Sequence, residues 1–433
     1  MANPKQPLIS KYDETSTQEY GVNVDKPSET EFNPNLSGFE KLLFFLLGFS
    51  PVLAWNCVYV SEAYFYRQLG KSVLSELGLF QNLSSLVAQI PLLFFRKQFK
   101  YYQGPISSCF VYMTFYCVLL LAVPVDDLRP WEMYLAQGVN GLFTGVSQTQ
   151  LGNLGGLYGK AGQCGALLFA GNSLGALLPP ALQIILLFAP GTGPFTDEQI
   201  HHHQRTSAII IFSVGAIGSV VGIFAINALT CTKNYRILTT EASMACNEDC
   251  MTPGTRTDIL KERWAKTVVR ICQSGIVFTR GLWLFILSIS PFIVAMPRGD
   301  LWWTKNLATL LIVATATGDF LGRVIANRQS WLIKSLKGLT ISVLLRIVFV
   351  VLAVVYATVP SFADAAGKAN ILPFAIYFLM SLTHGYLVVA LQTKSQTACG
   401  FYPGEDSCPV ISQVSWFASQ LGLVVGIVFS FAL

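Results

Sequence analysis

The chain has 433 residues, 52% of them hydrophobic and only 12% charged, whereas a soluble domain carries about 25% charged residues. Those proportions exclude a water-soluble globular protein and an extended disordered one, and they point to a polytopic membrane protein. The formal net charge of +5 excludes little, because in a membrane protein the placement of Lys and Arg matters more than their sum.

Residues 1–40 are polar, of mixed charge and without an apolar h-region, so they read as a disordered cytoplasmic tail with no cleavable signal peptide. Apolar runs long enough for the roughly 20 residues that cross a bilayer then recur along the chain. The first six lie at about Leu42–Phe65, Glu76–Phe95, Ile106–Val123, Glu132–Leu157, Gly162–Ala189 and Ser207–Leu229. A polar segment, Thr230–Ile271, separates them from five more at about Cys272–Met296, Trp302–Ala326, Leu339–Tyr356, Ile371–Leu391 and Pro409–Leu433. The predicted fold is therefore all-α, with eleven transmembrane helices in two bundles, residues 41–229 and 272–433, joined by a loop at 230–271.

Fifteen Lys and Arg fall in one alternate set of loops and seven in the other. By the positive-inside rule the N-terminus and the 230–271 loop are expected in the cytoplasm and the C-terminus outside, with the plasma membrane as the expected location. Cys57, Cys109, Cys117, Cys164 and Cys272 lie in or beside apolar runs and read as core. Cys246 and Cys250 lie in the polar loop and Cys399 and Cys408 flank another, and no metal spacing or disulfide framework emerges. His201, His202 and His203 read as a polar loop at the surface rather than a metal site.

Three basic residues, Arg280, Arg323 and Arg346, fall inside spans, and Asp319 is the acid placed deepest. An ionisable group at the bilayer centre costs about 3 kcal/mol or more, so it is expected to face a cavity or pathway and to have a partner. Asp319 and Arg323 are four apart and share one helical face, where they can brace each other. Arg280 and Arg346 lie closer to span ends, from which a long side chain can reach the interface or take a buried role, and Arg346 stands among the secondary substrate-site candidates.

Other spans carry polar groups that lipid would not favour. Trp55 and Asn56 follow Pro51 near the middle of the first span, where an indole beside an amide suits stacking on a flat, polar-edged ligand. The fourth span holds Asn140, Thr144, Ser147, Gln148, Thr149, Gln150 and Asn153 among glycines, a composition that serves either close helix packing or a polar cavity. Asn172 in the fifth span and His384 in the tenth complete the secondary candidates, the latter as a group able to change charge near neutral pH. No phosphate-binding glycine loop, catalytic triad or metal motif is present, so an enzyme, a cofactor and a nucleic-acid partner are not expected.

Taken together, these motifs resemble the equilibrative nucleoside transporters. FFLLGFSPVLAWN (Phe44–Asn56) is similar to that family's first-span pattern, with Ala54 in place of the usual Pro. NGLFTGVSQTQLGNLGG (Asn140–Gly156) resembles its fourth span, AGQCGALL its entry to the fifth, and GDFLGR its eighth. LRIVFVVL resembles the Arg-bearing ninth, HGYL (His384–Leu387) the NGYL of the tenth, and GLVVGIVFSF its C-terminal span. The resemblance implies a six-plus-five arrangement like the major facilitator fold, with substrate held midway between the bundles. It further implies that Trp55 walls the pocket, Gln148 bonds the base edge, Asp319 accepts from ribose hydroxyls or ring N–H groups, and Arg323 holds Asp319 and contacts substrate. Thr144, where many members have Gly, and His384, where the family has Asn, depart from the pattern.

The function expected is alternating-access carriage of purine nucleosides, nucleobases or both, facilitative and without an ATP motor. The partners are then the small-molecule substrate and the lipid bilayer. Proton-coupled uptake, a carrier of another small polar solute such as choline, and a channel or receptor gated by the buried pair are the alternatives.

Overall fold

The computed structural model describes residues 36–61, 65, 74–94, 102–122, 129–158, 163–188, 197–244, 256–294, 307–359, 371–398 and 407–431, and among them there is helix but no strand. Lipid offers the backbone no hydrogen-bond partner, so a chain this apolar satisfies its peptide groups within helices. In chain order these are α1 Gly38–Val60, α2 Leu74–Phe94, α3 Gln103–Ala122, α4 Pro130–Tyr158, α5 Gln163–Phe188 and α6 Asp197–Thr230. After them come α7 Lys233–Met244, α8 Arg256–Val294, α9 Leu307–Ala326, α10 Leu336–Leu345, α11 Ile347–Thr358, α12 Ile371–Ala398 and α13 Ser407–Ser430.

Among the described residues, nine spans are long and apolar enough to cross a bilayer, with α10 and α11 counted together as one. The helices α4 and α9 pack among these nine. Among the described residues the protein is thus an all-helical integral membrane protein with nine candidate spans and the packed helices α4 and α9 beside them.

Several boundaries differ from the sequence expectation for identifiable reasons. The tail is helical from Gly38, because Ser37 caps the helix and Glu40 returns a bond to the Ser37 backbone; residues 1–35 of the expected tail lie outside the described residues. Much of the polar 230–271 segment is helix. It is rich in Lys, Arg and Glu, which favour helix even where no apolar face is needed, and Glu262 pairs with Lys266 one turn on. Residues 245–255, with Cys246 and Cys250, lie outside the described residues, as does Cys399. The histidine run forms part of the first turns of α6 rather than a loop. Cys57, Cys109, Cys117, Cys164 and Cys272 are buried free thiols, as read from the sequence.

In the first bundle α1 packs on α5 and α6, α2 on α4, and α3 on α6 and α4. In the second, α8 packs on α12 and α13, and α9 on α12. The bundles meet where α9 lies on α5 and where α13 lies on α2 and α4. The α9–α12 pair is unusually close. A Cβ at Gly322 would stand 2.1 Å from the Leu382 carbonyl oxygen, and one at Gly385 2.1 Å from that of Asp319. Glycine at both positions lets the backbones touch, which fixes Asp319 beside the residue preceding Gly385, His384.

Candidate functional site

Asp319 lies on α9 at the junction of the bundles, and each of its oxygens is used twice. Oδ2 meets the Arg323 guanidinium at 2.8 Å and accepts from the Ser173 hydroxyl of α5 at 2.8 Å. Oδ1 accepts from Arg323 Nε at 3.3 Å and lies 2.7 Å from His384 Nδ1 of α12. A carboxylate held by a guanidinium fork can only accept, so Nδ1 carries the proton and Nε2 is the remaining ring nitrogen. That Nε2 is buried with no hydrogen-bond partner.

The Arg323 fork reaches across the junction as well. Its Nη1 donates to the Phe169 carbonyl of α5 at 2.8 Å, and its guanidinium carbon sits 5.5 Å from the Phe169 ring centroid. Phe169 in turn stacks on Trp416 of α13 at 4.5 Å, with the rings 15° apart. A third link joins α4, α2 and α13: Gln420 Nε2 donates to Gln148 Oε1 at 3.1 Å and to Ser85 Oγ at 2.8 Å. The inter-bundle junction therefore holds one ion pair, one aromatic stack and an amide bridge.

The second bundle contributes more. Trp283 of α8 stacks on the His384 ring at 4.5 Å and 9° and donates from Nε1 to Ser381 Oγ at 3.0 Å. Arg280, three residues earlier and facing Gly422 of α13, is 8% exposed; it neighbours Asp319 and Arg323 closely enough to interact with both charges. Its Nε has no hydrogen-bond partner. Arg346 has a different task. It occupies the break between α10 and α11, where it donates to the Thr279 carbonyl at 2.8 Å and the Met380 carbonyl at 3.2 Å, so it pins α8 to α12. Neither Arg280 nor Arg346 reaches out to the interface: Arg280 is buried against α13, and Arg346, with 1% exposure, finds its acceptors inside the bundle.

The remaining sequence candidates divide. Gln148 and Asp319 both lie on the junction, the first bound to α13 and the second to α5. Trp55 is half-buried and tilts against Tyr59 at 5.9 Å. Asn56 donates to the Val52 carbonyl of its own helix. Thr144 donates to the Asn140 carbonyl and accepts from Gln81 Nε2, so it belongs to the α2–α4 contact. Asn172 is buried with its Oδ1 unpartnered. Ser173, Phe169, Trp283, Trp416 and Gln420 were not singled out from the sequence. Only Ser173 had a signal there, as a polar residue on the glycine-rich fifth span.

No family model and no curated protein matches the chain. Among solved structures it is similar to the crystal structure of the E. coli fucose:proton symporter FucP, with a TM-score of 0.54 and 14% identity over 90% of this chain and 91% of that one. It is also similar to FucP described as a major facilitator superfamily transporter in the outward conformation, with a TM-score of 0.50 and 14% identity over 90% of this chain and 98% of that one. Identity this low speaks for the fold alone: the chain adopts the major facilitator arrangement, two helical bundles with the Asp319 cluster where they meet.

Proposed function

We propose that the protein is a membrane carrier that moves purine nucleosides or nucleobases by alternating access, with the first bundle rocking against the second. The observation that carries this reading is the Asp319 cluster, a buried ion pair ligated from both bundles at their junction. A charge pair in lipid is retained for function rather than stability, and one shared between two moving bodies suits a site exposed to each side in turn. The substrate class rests on the resemblance of the span motifs to equilibrative nucleoside transporters. We place the carrier in the plasma membrane, with its N-terminus and 230–271 segment cytoplasmic.

A cationic solute such as choline is disfavoured, because the Asp319 oxygens are already bonded to Arg323, His384 and Ser173. Proton-coupled transport is the second reading, favoured by the contact of His384 with Asp319. Uptake of labelled hypoxanthine and adenosine into cells without endogenous carriers is the direct test. Saturable uptake that exchanges with unlabelled purine is expected; no uptake of either would refute the substrate, and non-saturating flux would indicate a channel. Inhibition by a protonophore would select the coupled form.

A further inference from the structure

The charges inside the second bundle do not balance. Among the described residues its buried ionic groups are Arg280, Arg323 and Arg346 against the single carboxylate of Asp319. Two of the three guanidiniums are committed, Arg323 to Asp319 and the Phe169 carbonyl and Arg346 to the Thr279 and Met380 carbonyls. Arg280 alone makes no hydrogen bond among the described residues, and its Nε is enclosed without a partner. An arginine stays charged at any physiological pH, and leaving such a donor buried and unsatisfied is costly.

The acceptor side is exhausted. Asp319 already receives Arg323 twice, His384 and Ser173, so it has no oxygen left for a donor on a substrate. What the centre lacks is acceptors. A solute that completes it must bring electron-rich atoms to Arg280, and a planar fork of N–H donors is matched best by two acceptors side by side. A purine with a 6-oxo group presents such a pair, O6 and N7, on one edge; a 6-aminopurine presents N7 with an N–H donor instead.

We infer that Arg280 is the specificity-determining residue of the carrier and that it selects oxopurines over aminopurines. The inference rests on the purine-carrier reading above and sharpens it. Trp283, three residues along α8 and stacked on His384, gives the same helix an aromatic surface in the cluster. The His384 Nε2, unpartnered in the same cluster, offers a further polar atom to an edge of the ring.

The test uses the full-length protein in cells lacking endogenous purine carriers. Uptake of labelled hypoxanthine is competed with unlabelled hypoxanthine, guanine and xanthine and with adenine, for the wild type, Arg280→Gln and Arg280→Lys. The oxopurines are expected to compete at least about tenfold more strongly than adenine. In Arg280→Gln that ratio should collapse towards one while adenine uptake survives, and Arg280→Lys, which keeps the charge but not the fork, should fall between. A merely structural role would lower uptake of all purines equally and leave the ratio unchanged, which would overturn the assignment. Should Arg280→Gln fail to reach the surface, the wild-type ratio and Arg280→Lys decide. Equal competition by adenine sinks the role of Arg280 while leaving a purine carrier standing; no purine uptake at all sinks both.

Discussion

Replacing Gly385 by alanine tests whether the site depends on the α9–α12 contact. The added methyl would stand 2.1 Å from the Asp319 carbonyl oxygen and 3.0 Å from its Oδ1, whereas a carbon rests against a carbonyl oxygen at about 3.3 Å or more. The two helices must therefore part by roughly 1 Å at this level. The His384–Asp319 bond, 2.7 Å long, stretches to about 3.7 Å and is lost. Losing a charge-assisted bond costs about 1.5–3 kcal/mol and overpacking a further 1–3 kcal/mol. Uptake normalised to surface protein, together with melting of the purified protein in detergent, provides the readout. Transport is expected to fall at least about tenfold with a lowered melting temperature, since each 1.4 kcal/mol is a factor of ten. Gly104→Ala, where nothing lies within 4 Å of the new methyl, serves as the control and should behave as wild type. Wild-type transport and melting in Gly385→Ala would refute the close packing of α9 on α12 as the device that sets the site.

Asp319→Asn leaves Arg323 buried with half its compensation, so a loss of about 3–5 kcal/mol is expected, seen as lower surface expression; Asp319→Asn with Arg323→Leu should recover expression but not transport. Arg346→Lys keeps the charge but puts one shorter-reaching nitrogen where Arg346 uses Nη1 and Nη2 for two helices, so melting should drop while the oxopurine preference of any residual uptake stays unchanged. Gly152→Ala places a methyl 2.4 Å from the Trp416 ring and should loosen its stack on Phe169. In that variant a Gln413→Cys probe, one turn before Trp416, is expected to react severalfold faster with a membrane-impermeant thiol reagent, and an unchanged rate would contradict a closure made by that stack.

The helical class, the spans and the placement of Asp319 with Arg323 were legible because bilayer crossing imposes length and apolarity, and because an i, i+4 pair is a local relation. Relations between helices were not. The sequence places His384 some distance along the chain from Asp319, and only the glycine contact of α9 with α12 brings them to 2.7 Å. Arg280 and Arg346 were read as able to snorkel because sequence gives depth along a helix but not the direction a side chain faces. In the fold one is buried against Gly422 of α13 and the other is bonded to two carbonyls. Trp283, Trp416 and Phe169 carried no distinguishing signal, since an aromatic in an apolar run is as often core as contact. Within the polar 230–271 segment the structure adds helix at Lys233–Met244 and from Arg256 on, which an apolar-run criterion does not report.

The junction described above also bears on speed. Among the described residues the directional ties named above are few: the Ser173 bond, the Arg323 bond to a carbonyl, the Gln420 bridge and one ring stack. Each contributes about 1 kcal/mol net, somewhat more where a charge takes part. A set this small latches the bundles without arresting them, because domain motions over barriers of this kind proceed in microseconds to milliseconds. If the proposed carrier works by rocking, adding ties across α5–α9 or α4–α13 would deepen one well at the expense of turnover, and a sparse latch suits cycling.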